Sequence, residues 1–223
     1  MSIARATSVA TARRRSSHPS SRTTRLTRGV ANAVGALGAG WFAWSGLRHY
    51  QSTHSLIGAA FLGEQLWVVA AYLVRRPASR LSTRTGDWML AFAGTFGGVL
   101  FRPLGEHPHW GVVAGSLLQA LGLAICVASF AALGRSFGFA AADRGLKRSG
   151  PYAVVRHPLY ASYVLLELGY VLQSISWRNV AVMMLVSGCN VGRALAEERL
   201  LAECGPYEQY RDLVRWRLLP GVW

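Results

Sequence analysis

Residues 110–133 read Trp110-Gly111-Val112-Val113-Ala114-Gly115-Ser116-Leu117-Leu118-Gln119-Ala120-Leu121-Gly122-Leu123-Ala124-Ile125-Cys126-Val127-Ala128-Ser129-Phe130-Ala131-Ala132-Leu133, a run of 24 residues without a charge. A helix needs about 20 mostly apolar residues to cross the hydrocarbon of a bilayer, and about 17 at the least. This stretch therefore reads as a transmembrane helix. Working outward, 30–47, 55–74, 87–104, 159–175 and 180–195 have the same apolar character. The expected fold class is all-α: a multi-pass transmembrane helical bundle of six helices. The count falls to five if 87–104, which is short and closed by Arg102-Pro103, re-enters the bilayer rather than spanning it.

The basic residues test that count. Among 223 residues there are 24 Lys and Arg against 10 Asp and Glu, a net charge of +14. Seven arginines precede the first apolar segment. Arg75, Arg76, Arg80 and Arg84 follow the second, and Arg135, Arg144, Lys147, Arg148 and Arg156 follow the fourth. Arg193, Arg199, Arg211, Arg215 and Arg217 close or follow the sixth. Between these lie Arg48, Arg102 and Arg178, each alone. Rich and poor segments alternate as the positive-inside rule requires for an even number of spans with both termini cytoplasmic. The expectation is an integral membrane protein, in the cell membrane, with its basic loops facing the cytoplasm. Topology accounts for the charge and no nucleic-acid recognition motif is present, so a nucleic-acid partner is not expected.

Residues 1–28 carry Ser, Thr, Ala and Arg and no acid. They read as a disordered basic cytoplasmic arm, or alternatively by the same composition as an organellar transit peptide, ahead of one membrane domain, 29–223, in which four N-terminal helices precede the segment 134–223. Cys126, Cys189 and Cys204 show no pairing or zinc-ligand spacing, so their expected role is packing. Gly35 with Ala39, Gly94 with Gly98 and Gly111 with Gly115 are spaced to let helices of one bundle approach closely. Trp41, Trp44, Trp88, Trp110 and Trp177 read as interfacial anchors, with Trp67 deeper. His107-Pro108-His109, beside Glu106, reads as a solvated loop, and no metal site is expected.

Two polar clusters stand at helix ends on the basic side: Ser149-Gly150-Pro151-Tyr152-Ala153-Val154-Val155-Arg156-His157-Pro158-Leu159-Tyr160, and Arg193-Ala194-Leu195-Ala196-Glu197-Glu198. Bilayers penalise such residues, so their presence points to a site. Pro158 suits the first position of a helix. The N–H groups and positive dipole end of that helix favour a carboxylate or phosphate. His157 and Tyr160, three apart, share one face, and Gly150-Pro151 turns the chain so that Tyr152 folds back. Arg193 and Glu197, four apart, project to one side, with Glu198 on the neighbouring face.

Leu133-Gly134-Arg135-Ser136-Phe137, Gly150-Pro151-Tyr152, Arg156-His157-Pro158-Leu159-Tyr160, Arg193, Glu197-Glu198 and Tyr207-Glu208-Gln209-Tyr210 together resemble the isoprenylcysteine carboxyl methyltransferase family and its phospholipid-methyltransferase relatives. The resemblance runs from about Ala128 onward. It implies a membrane methyltransferase that uses S-adenosyl-L-methionine on a lipophilic small-molecule or lipidated substrate at the cytoplasmic face. By that resemblance His157, Pro158, Leu159, Tyr160, Tyr152, Glu197 and Glu198 are cofactor-binding, with Arg144, Gly145, Leu146 and Lys147 supplying further contacts. Arg193 is substrate-binding. The chain departs from the pattern at Arg144, where many members carry His, and at Ala161-Ser162, where a Gly often follows.

Arg193 and Glu167 are the candidate catalytic residues. Arg193 would orient a carboxylate acceptor. Glu64 and Glu167, carboxyls within apolar helices, read as neutral hydrogen-bonding acids, and Glu167 alternatively as a partner for an amine head group. The acceptor class stays open between carboxylate, amine and thiol. A sterol-reductase-like enzyme using NADPH is the enzymatic alternative, since that class also carries a His-Pro near its C-terminal helices. A non-enzymatic carrier or scaffold is the other alternative.

Overall fold

The computed structural model describes residues 21–54, 56–74, 78–203 and 206–223. Residues 1–20, most of the basic arm, lie outside the described residues, as do Cys204 and the side chain of Glu64. Seven α-helices are described: α1 (Ser21–Thr53), α2 (Leu56–Val74), α3 (Thr85–Phe96), α4 (His109–Leu133), α5 (Pro158–Gln173), α6 (Trp177–Ala202) and α7 (Pro206–Leu213). Two short strands, β1 (Arg80–Leu81) and β2 (Ala142–Asp143), pair antiparallel. Among the described residues two helices are long and apolar enough to cross a membrane, His109–Ser136 and Trp177–Ala202.

Three boundaries differ from the sequence reading. α1 begins at Ser21, so the helix takes in 21–28, the last part of the arm. The third apolar stretch is helical only to Phe96 and continues as a 3-10 turn, Gly97–Leu100. At 1.5 Å per residue, twelve residues rise about 18 Å, well short of the roughly 30 Å hydrocarbon core. Glycines 94, 97 and 98 weaken the α-helix there, because glycine gains the most backbone freedom on leaving it. α6 runs well past residue 195, so Arg193, Glu197 and Glu198 sit within a continuous helix rather than at its fraying end.

α4 and α5 share the most extensive packing, and glycine permits it. A Cβ on Gly115 would overlap the Gly169 carbonyl, and one on Gly111 would overlap that of Leu172. Gln173 donates to Gln119 across the same seam at 2.9 Å. Gly94 serves a different contact from its expected partner Gly98: it faces α6, whereas no atom lies within 4 Å of a Cβ at Gly98. Trp110 and Trp177 are exposed, 61 % and 85 %, as interfacial anchors would be. Trp88 instead turns inward, donating its indole N–H to the Ser82 carbonyl at 3.0 Å and packing on the core.

The Arg-rich segments gather at one end of the bundle. The β1–β2 pair ties the loop after α2 to the loop after α4, with Ser79 Oγ donating to Asp143 at 2.7 Å. α1 runs antiparallel to α2, its Gly35 against Tyr72 and its Gly46 near Leu62, so α1 starts at that same end. Arg199 of α6 donates to the buried Asp87 of α3 at 2.7 Å there. At the opposite end, Glu106 and Ile175 exchange backbone hydrogen bonds, and His107 Nδ1 lies 2.7 Å from the Gln173 carbonyl.

Candidate functional site

The site is built where the chain enters α5. Gly150 adopts φ +62, a conformation that glycine tolerates, and opens a 3-10 turn, Gly150–Ala153, that buries Tyr152. His157 precedes α5 and Pro158 occupies its first position, where a missing N–H costs nothing. The amides of Arg156 and His157 donate to the carbonyls of Trp216 (2.9 Å) and Arg217 (2.8 Å). The His157 Nε2 donates to Glu198 Oε1 at 3.1 Å. Arg217 Nε reaches both Glu198 oxygens, at 3.1 and 3.3 Å, and Arg156 Nε lies 3.5 Å away. One carboxylate thus gathers two guanidinium groups and an imidazole.

One helical turn on, Tyr160 donates its hydroxyl to Glu197 Oε1 at 2.6 Å. The Arg193 guanidinium lies 5.3 Å from the centroid of the Tyr160 ring, within cation–π range. Arg193 donates to Asn190 Oδ1 (3.1 Å), Thr95 Oγ1 (3.3 Å) and the Phe139 carbonyl (3.0 Å). The spacing of Arg193 and Glu197 brings both to one face, but Tyr160 stands between them in place of a direct ion pair. Lower on α5, Ser187 Oγ donates to Glu167 Oε2 at 2.5 Å, joining α5 to α6.

His157, Tyr160, Glu167, Asn190, Arg193 and Glu197 border one cavity of about 360 Å³. Its polar lining includes Arg144, Lys147, Tyr152, His157, Tyr160 and Glu197, together with Arg193 and Glu167. Elsewhere its lining is aromatic. Phe42 stacks on Phe96 (5.9 Å), and Tyr72 and Phe130 meet Phe137 edge-on at 5.1 and 4.8 Å. Gly38 of α1 makes room for this wall, since a Cβ there would stand 2.7 Å from the Phe96 ring.

Residues 110–206 match the phospholipid methyltransferase family. This is a family of membrane methyltransferases, the relationship expected from the motifs, and the matched segment holds α4, α5, α6 and the loop between α4 and α5. No curated protein matches the chain. The matched segment supplies most of the polar end of the cavity, while α1, α2 and α3, outside it, share the aromatic wall with Phe130 and Phe137.

Within that segment, Arg144, Gly145, Leu146, Lys147, Tyr152, His157, Leu159, Tyr160, Glu167, Arg193 and Glu197 all border the cavity. Pro158 and Glu198 do not. Pro158 is fully buried at the start of α5, and Glu198 stands behind His157 rather than facing the cavity. Arg144 lies flat on Gly138, where a Cβ would collide with its guanidinium, and its carbonyl accepts from Ser136 Oγ at 3.1 Å.

Several contributors went unread in the sequence. Asn190 is three residues before Arg193 and seven before Glu197, so helical phase alone marks it as a neighbour. Thr95 and Arg217 carry no such signal, because tertiary packing brings them in. Tyr207 and Tyr210, part of the resemblance but given no role by it, border the polar end from α7, and Tyr210 donates to the Tyr152 carbonyl at 2.7 Å. Burial pushes the Tyr152 and Tyr207 phenols up, and that of Tyr210 to about 12, with Arg156 and Arg148 opposing the rise at Tyr210.

Proposed function

We propose that the protein is an integral membrane methyltransferase that uses S-adenosylmethionine to methylate a lipophilic acceptor at the cytoplasmic face. The observation that carries this reading is the Tyr160–Glu197 hydrogen bond beside Arg193, at the junction of a polar and an aromatic half of one cavity. The gathering of Arg-rich segments at the site end supports six membrane-embedded segments with both termini cytoplasmic.

The residues present fit the donor. It has an amino-acid tail, a sulfonium and a ribose with adjacent hydroxyls. The polar end offers a carboxylate at Glu197, cations at Arg144 and Lys147, and the phenols of Tyr152, Tyr207 and Tyr210. When bound, S-adenosylmethionine supplies a methyl group already activated on a sulfonium, so the protein's task is positioning and exclusion of water.

Each residue has a role on that basis. Glu197, oriented by Tyr160, holds amino or hydroxyl groups through charge-assisted hydrogen bonds. The first N–H groups of α5, at Leu159 and Tyr160, favour a carboxylate. The ring face of Tyr160 turned to Arg193 is already opposite a cation, so Tyr160 acts through its hydroxyl and its stacking on Arg193. Arg193, held by Thr95, Asn190 and the Phe139 carbonyl, orients the acceptor. A carboxylate acceptor needs no general base. An amine acceptor must first lose a proton, and Glu167, which borders the cavity away from the carboxylate assigned to the donor, would be the carboxyl that receives it.

Incubating membranes that contain the protein with labelled methyl donor tests the reading. Label is expected in a solvent-extractable lipophilic species, base-labile if the product is an ester. Absence of protein-dependent labelling in any extractable species counts against the proposal.

A further inference from the structure

The segment that follows α7, outside the family-matched residues, bonds to the residues that lead into α5 and to Glu198. It runs from the buried Val214 to Trp223. Its carbonyls at Trp216 and Arg217 accept the two amides that immediately precede α5. The Arg217 side chain grips both oxygens of Glu198, whose Oε1 holds the His157 ring. Arg217 is itself held from the far side. Its amide and that of Leu218 donate to the Trp223 carbonyl at 2.7 and 3.0 Å, and its guanidinium lies 4.8 Å from the centroid of the Trp223 ring. Gly221, at φ +83, makes the reversal that brings Trp223 back.

We propose that this segment is part of the donor site, with Arg217 a positioning residue that sets His157 through Glu198 and Trp223 the brace that sets Arg217. The proposal rests on the methyl-donor reading above. His157 borders the cavity while Glu198 does not, so Glu198 acts on the cavity through the ring it holds. Arg156 lies 3.5 Å from Glu198 Oε1 only, whereas Arg217 also engages Oε2 at 3.1 Å. Loss of Arg217 therefore frees one carboxylate oxygen and lets the group rotate away from His157. Loss of the brace leaves the charge in place and loosens its aim.

The test uses the full chain, purified in detergent. Binding of S-adenosylhomocysteine is measured by titration, and amide hydrogen exchange is measured across 152–160. Arg217→Gln is expected to weaken the ligand about tenfold, the scale of one charged hydrogen bond, and to speed exchange across 152–160. Arg217→Lys keeps affinity within about threefold. Trp223→Ala gives a smaller loss in the same direction and reads the same coupling if Arg217→Gln does not fold. Arg80→Gln, which loses only an exposed ion pair with Glu203 outside this segment and away from the cavity lining, binds like the parent. Parental affinity or unchanged exchange in Arg217→Gln overturns the proposal, as does a Lys variant that fails as fully as the Gln variant. If the parent itself takes up no S-adenosylhomocysteine while Arg217→Gln still speeds exchange, the methyl-donor reading falls and the coupling from Arg217 to His157 stands.

Discussion

Tyr160 donates its hydroxyl to Glu197 at 2.6 Å while the opposite part of its environment is the Arg193 guanidinium, 5.3 Å from its ring centroid. One tyrosine thereby orients the carboxylate assigned to the donor and the cation assigned to the acceptor. Removing only the hydroxyl separates the two duties. Tyr160→Phe keeps the ring under Arg193 and leaves Glu197 without its donor. A hydrogen bond to a charged group contributes about 1.5–3 kcal/mol, so S-adenosylhomocysteine binding is expected to weaken roughly tenfold or more. Isothermal titration reads the change.

Gly94 tests the acceptor side. A Cβ there would stand 2.5 Å from Asn190 Oδ1 and 3.2 Å from Arg193 Cδ, so Gly94→Ala displaces the pair that faces the acceptor. Methyl transfer is expected to fall about tenfold, the equivalent of roughly 1.4 kcal/mol of lost positioning, with donor affinity kept. Gly188→Ala, on α6 with Asn190 and Arg193, meets no atom within 4 Å and leaves transfer unchanged. Transfer assays paired with titration distinguish the outcomes.

The α4–α5 seam predicts a stability effect. Gly115→Val forces a side chain against the Gly169 carbonyl and the Gln173 stem. Overpacking of this kind costs about 1–3 kcal/mol. A lower thermal midpoint in detergent is expected, and an unchanged midpoint would show that the seam relaxes freely.

Alkaline pH is expected to loosen α7. Burial raises the Tyr210 phenol from its ordinary 10.0 to about 12, and Tyr207 moves in the same direction. A raised value in the folded state means that the neutral phenol is the form the fold favours. Its contribution is complete below pH 10 and is lost as pH rises through about 12. Tyr210→Phe is therefore expected to lower stability near neutrality, by losing the bond to the Tyr152 carbonyl, and to flatten its decline between pH 10 and 12. Thermal midpoints across that range check the sign.

Much of the polar end was legible because local rules govern it. Pro158 announced the start of α5, and the phase of Arg193 and Glu197 put both on one helical face. The same arithmetic separates Glu198 from Glu197 by about 100°, which is why the adjacent glutamates serve different partners. Hydropathy overstated the third span, since an apolar average does not register where glycines 94, 97 and 98 let the helix give way. Trp88 reads as an interfacial anchor until Ser82, from the loop ahead of α3, offers its carbonyl from inside. Thr95 meets Arg193 across 98 positions and Arg217 meets Glu198 across 19, contacts that packing creates and no periodicity encodes.

The most direct measurement of the central claim is a titration of the purified full chain with S-adenosylhomocysteine and, separately, with NADPH. The account predicts saturable binding of S-adenosylhomocysteine, weakened in Glu197→Ala, and none of NADPH. Binding of NADPH alone would contradict it, and so would S-adenosylhomocysteine binding that Glu197→Ala leaves untouched.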